Sequence, residues 1–132
     1  MSTPVTAPAL APILVIEDEP SVVAFLRAAL ERKGYKVENA ASGMDGLELL
    51  GSGRYGGVIS DIRMPGAVNG AEVHAWIQIN RPELAARIIL ISGDTANSET
   101  QSLLERSGTP CIEKPFRVQH LLSVVEKTFG KP

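Results

Sequence analysis

Five short apolar runs punctuate the 132-residue chain, and each is followed by a stretch of helical period. This alternation constrains the fold more than any other feature. ILVI (13–16) precedes a helix expected from about 20 to 33, and YKVENA (35–40) precedes one at about 43–51. GVIS (57–60) is followed by a helix at about 70–79, RIILIS (87–92) by one at about 97–106, and TPCIEK (109–114) by one at about 117–129. Runs such as ILVI and IILI show no polar alternation, so they belong to strands covered on both faces. Regular strand–helix repetition supplies the crossover helices that a parallel sheet needs, and predicts a doubly wound α/β sandwich of five βα units.

Local signals agree. Pro20 suits the first helical position, Arg32 and Lys33 the last turn, and Gly34 a left-handed C′ residue. Ser42 followed by Asp45 is a variant capping box. Val118, Leu121, Leu122, Val125 and Phe129 repeat at three and four residues and mark a buried stripe. The fourth helix is the weakest, because Leu103 and Leu104 are its only strong apolar residues. Residues 1–12, with prolines at 4, 8 and 12, read as a flexible tail or linker ahead of one domain at 13–130.

Thirteen basic residues against fifteen acidic ones, without a basic stripe, argue against nucleic-acid binding. A single cysteine, Cys111, excludes an internal disulfide and a Cys-rich zinc site. No signal peptide or span of about 20 apolar residues is visible, so the chain reads as cytoplasmic and not membrane-inserted.

In an open parallel sheet, ligands bind beyond the carboxyl ends of the strands. The first strand delivers Glu17 and Asp18 to that end, the third Asp61, the fourth Ser92 and the fifth Lys114. Taken singly these are ordinary residues: an acid favours a helix N-terminus, and Asp61 before the loop IRMPGAVNG suits a turn. Taken together, three carboxylates in one cleft repel one another unless a cation sits among them, and hard oxygen donors suit Mg²⁺. Lys114 and Ser92 add a positive charge and a donor around room for an anionic tetrahedral group, which is the equipment of phosphoryl transfer.

The stretches ILVIEDEP, SDIRMPG with the later Gly70, IILISG and EKPF, in that order and with Ser92 and Lys114 separated by 22 positions, resemble the receiver domain of two-component response regulators over about 13–129. The resemblance implies a flavodoxin-like fold. It implies Asp61 as phosphoacceptor, with Asp18 and Asp61 binding Mg²⁺ directly, Glu17 through water, and Arg63 through its backbone carbonyl. Ser92 and Lys114 would bind phosphoryl oxygens, and the Lys114–Pro115 bond would be cis. A histidine kinase or histidine phosphotransfer protein would be the donor, and the protein would catalyse only its own phosphorylation and dephosphorylation. Output would pass by protein contact through the face of the fourth helix, fifth strand and fifth helix, which also offers a homodimer surface. The absence of an output domain after Pro132 fits a free-standing receiver or a piece of a larger chain, and SGTPCIEKPF is similar to receivers attached to hybrid histidine kinases.

Two departures stand out. The loop from Asp61 to Gly70 is one residue longer than usual, and Cys111 occupies a position that usually carries an aromatic switch residue. Arg63 and Asp94 are expected to pair across the cleft mouth and slow water attack; His74 and His120 are expected on the surface. A dehalogenase-type phosphatase would need a second aspartate where Arg63 stands, and a flavin-mononucleotide site would need a Ser/Thr/Gly loop where EDEP stands. A receiver-like docking module without phosphorylation is the remaining alternative.

Overall fold

The computed structural model describes residues 11–63, 66 and 68–132; most of the expected tail, and Met64, Pro65 and Ala67 of the loop after Asp61, lie outside the described residues. The elements are β1 (Ile13–Ile16), α1 (Pro20–Arg32), β2 (Val37–Ala40), α2 (Gly43–Ser52), β3 (Gly57–Asp61), α3 (Gly70–Asn80), β4 (Ile88–Ser92), α4 (Ser98–Ser107), β5 (Cys111–Glu113) and α5 (Val118–Phe129). A one-turn 3₁₀ helix, Pro82–Leu84, was not anticipated; Pro82 at its start presets the required φ. All strand pairs are parallel, in the order β2-β1-β3-β4-β5.

Strand pleating divides the core in two. Ile13 and Val15 face α1 and α5 with Leu26, Leu30, Ile89, Ile91, Leu121 and Val125, whereas Leu14 and Ile16 face the other helices with Leu50, Val73, Ile77, Leu90 and Leu103. β1, β3 and β4 are buried throughout, as their unbroken apolar runs require. At the sheet edges, β2 exposes Glu38 and β5 exposes Glu113. Each fully buried aliphatic side chain contributes about 1.5–3 kcal/mol.

Gly34 takes φ 102° after α1, and Ser42 Oγ accepts the Asp45 amide at 3.1 Å. Leu121, Val125 and Phe129 line the core, but Val118, expected in that stripe, is 41% exposed because it opens α5 before the helix turns inward. α4 exists despite its weak apolar signal: Asn97 caps it by accepting the Glu99 and Thr100 amides, and Thr100 and Leu103 are buried.

Candidate functional site

The sheet order reverses direction between β1 and β3, since β1 is followed outward by β2 and β3 by β4 and β5. Connections therefore diverge at that seam and leave a crevice at the carboxyl ends of the strands. Glu17 and Asp18 follow β1, and Asp61 ends β3, so the seam is flanked by carboxylates. One oxygen from each of the three lies within 4.8 Å of the others. Glu17 and Asp61 are buried and Asp18 is exposed.

Local structure holds each group in place. Asp61 Oδ1 accepts the Arg63 amide at 3.2 Å, and Oδ2 accepts Lys114 Nζ at 2.7 Å. Ser92 ends β4; its carbonyl accepts the Lys114 amide at 2.8 Å and its Oγ accepts the Asp94 amide at 3.0 Å. Lys114 leaves β5 through a cis bond to Pro115. Gly70 closes the loop behind Asp61: a Cβ there would lie 2.5 Å from the Asp61 carbonyl oxygen and 2.7 Å from Ile62 Cα.

Electrostatics are unbalanced. Glu17 Oε2 accepts the Glu19 amide at 3.2 Å, but the buried Oε1 has no hydrogen-bond partner, although Lys114 Nζ stands 3.1 Å away. Burial, reinforced by the Asp61 charge, outweighs the Glu19 amide and Lys114 and pushes the Glu17 carboxyl up to about 7. Partial burial disfavours the Lys114 ammonium, yet its interactions with Asp61 and Glu17 prevail and hold its pKa above the ordinary lysine value. One ammonium thus serves Glu17, Asp61 and, at 3.6 Å, Glu19. An orphaned carboxylate oxygen among close oxygen donors is what a hard divalent cation would satisfy, so these residues fit Mg²⁺.

Asp18, Asp61, Glu17, Ser92 and Lys114 all reach the carboxyl end of the sheet, as the sequence predicts. The expected Arg63–Asp94 ion pair is not formed: both side chains are exposed, and their amides bond Asp61 and Ser92 instead. His120 is exposed, but His74 is half-buried, with Nε2 2.9 Å from Thr109 Oγ1, and burial lowers its pKa. Sequence reasoning missed Glu19, whose signal was the third acid of EDE. It also missed Asn39, which donates to the Val15 and Glu17 carbonyls at 2.9 and 3.3 Å and steadies the acidic pair from β2.

The response regulator receiver domain family model matches residues 13–126, and the chain belongs to that family. It is similar to the response regulator ArlR of Staphylococcus aureus, 31% identical over 84% of this chain and 49% of the relative, and to the transcriptional regulatory protein TcrA of Mycobacterium tuberculosis, 29% identical over 84% of this chain and 43% of the relative. The chain therefore spans less than half the length of these relatives. Among solved structures, a CheY-like receiver domain protein from Methanospirillum hungatei superimposes with a TM-score of 0.81 at 26% identity, covering 91% of this chain and 94% of the other. The response regulator TrrA of Thermotoga maritima, solved in complex with Mg²⁺ and BeF, gives a TM-score of 0.76 at 33% identity, covering 89% of this chain and 98% of that one. No described helix is long and apolar enough to cross a membrane.

Proposed function

We propose that Asp61 is the phosphoacceptor of a two-component signalling pathway, taking its phosphoryl group from a phosphohistidine on a histidine kinase or phosphotransfer protein. The supporting observation is the meeting of Glu17, Asp18 and Asp61 within 4.8 Å, with Lys114 Nζ 2.7 Å from Asp61. An Asp61 carboxylate oxygen attacks phosphorus, the P–N bond to imidazole breaks as the P–O bond forms, and the imidazole leaves with the electron pair. β3 holds the nucleophile rigidly, which lowers the entropic cost of alignment. Lys114 transfers its ion pair from the bare carboxylate to a phosphoryl oxygen, and the Ser92 hydroxyl donates to another.

Asp18 and Asp61 would hold Mg²⁺ directly, Glu17 through water, and Arg63 through its carbonyl. When bound, the metal would neutralise charge on the transferring group. The protein catalyses only its own phosphorylation and dephosphorylation, and works in the reducing cytoplasm, which suits its free cysteine. Output passes by protein contact at the face of α4, β5 and α5.

The test is incubation with Mg²⁺ and acetyl phosphate, followed by intact-mass analysis. A gain of one phosphoryl group that disappears in Asp61→Asn is expected. A gain that persists in Asp61→Asn would move the acceptor elsewhere, and no gain with any donor would favour the docking-only reading.

A further inference from the structure

The turn between β4 and α4 has little main-chain support: within residues 93–96, the backbone bond is from the Asn97 amide to the Asp94 carbonyl, at a long 3.3 Å. Two side-chain bonds hold the turn instead. Ser92 Oγ accepts the Asp94 amide at 3.0 Å, and Thr95 Oγ1 donates to Glu113 Oε2 at 2.7 Å, fastening the turn to the end of β5. Both ends of the second bond lie at the surface, where it adds nothing to the core. Glu113 also directly precedes Lys114, so the bond ties the Ser92 turn to the strand that presents the ammonium.

The Ser92 hydroxyl is buried beside the cleft, yet it makes no hydrogen bond to the Asp61 carboxylate. A hydroxyl aimed at that carboxylate would form a strong charge-assisted bond. Its oxygen is engaged by the Asp94 amide instead, inside the turn that Thr95 fastens to β5. To serve a group carried on Asp61, the Ser92 side chain has to approach that carboxylate, and the turn that holds Ser92 is fastened to β5 through Thr95.

Resting on the phosphoacceptor reading above, we propose that Thr95 and Glu113 are positioning residues: their hydrogen bond holds the β4–α4 turn, and with it Ser92, in the resting arrangement, and opposes the phosphoryl-bound one. Cys111 stands two residues before Glu113 on the same side of β5 and brings no ring to pack over the turn, so the polar pair carries the restraint.

The test is calorimetric titration with beryllofluoride, a phosphoryl mimic, in excess Mg²⁺. Thr95→Val and Glu113→Met, each of which removes one partner of the bond, should each tighten binding about three- to tenfold, the range of one hydrogen bond. The double variant should bind no tighter than the better single one, because one bond is lost either way. Thr95→Ser, which keeps the hydroxyl, should match the wild type. Unchanged or weaker binding in either single variant would overturn the proposal, as would multiplicative effects in the double variant. A bond that merely secured the edge strand would lower thermal stability and leave affinity alone. Failure of the wild type to bind, with Asp61→Asn behaving identically, would refute the phosphoacceptor reading itself and this inference with it.

Discussion

Glu17 offers a direct measure of what the site costs the fold. In metal-free protein its carboxyl is buried, with one orphaned oxygen, and titrates at about 7 against an ordinary 4.5. Below pH 4.5 the group is protonated in folded and unfolded chains alike and is neutral to stability. Between 4.5 and about 7 the unfolded chain ionises while the folded chain keeps its proton, so stability falls as pH rises, and above 7 the loss is complete. At about 1.4 kcal/mol per pH unit, that interval amounts to about 3 kcal/mol. Glu17→Gln keeps the shape, lets the side-chain oxygen still accept the Glu19 amide, and removes the titration. Urea unfolding in EDTA should show the variant and the wild type nearly equal at pH 4.5, with the variant more stable by up to about 3 kcal/mol at pH 8. Comparing the two proteins at each pH cancels the other titrating groups. A stability difference independent of pH would refute the reasoning, because it would mean that Glu17 ionises as freely in the fold as in the unfolded chain.

Three further outcomes are expected. Mg²⁺ at a hundredfold excess over its Kd should stabilise the wild type by about 2.7 kcal/mol through mass action, and Asp18→Asn or Asp61→Asn should abolish that gain in a thermal melt. Gly70→Ala should lower Tm by roughly 6–10 °C, from overpacking of about 2 kcal/mol against the Asp61 and Ile62 backbone; Gly51→Ala, which meets nothing within 4 Å, should instead stabilise α2 by about 0.5–1 kcal/mol. Burial and the charges of Glu113 and Asp61 push the Cys111 thiol up to about 11, so iodoacetamide should alkylate it at pH 8 about a hundredfold more slowly than an ordinary thiol, with a rate still rising beyond pH 9; a plateau below pH 9 would contradict this.

The elements that carry the site were legible because their physics is local. ILVI, GVIS and IILIS state their double burial in composition alone, and a strand that is buried on both faces can present polar groups only at its ends. Glu17, Asp18, Asp61 and Ser92 stand immediately after or at the end of those runs, so their common destination followed from parallel pairing without coordinates. The edge strands were legible too, but from shorter and more polar runs. VENA and CIE carry polar residues on a half-covered surface, so the runs YKVENA and TPCIEK that announce them are less purely apolar than those of the central strands. His74 shows where pattern reasoning fails: its helix was correctly bounded, but its half-burial depends on Thr109, which arrives from the far side of α4. The same holds for Thr95 with Glu113 and for Lys114 with Glu19, contacts between segments 18 and 95 residues apart whose pairing no periodicity encodes. Such bonds depend on the lengths and directions of exposed loops, and small changes there leave the buried strands intact. The layout of the acidic site is therefore fixed by the core, and the resting position of the turn proposed to tune it is set by surface residues that can vary without unfolding the domain. That separation is why Glu113→Met should alter affinity for a phosphoryl mimic while leaving the melting curve nearly unmoved, whereas Gly70→Ala should shift both.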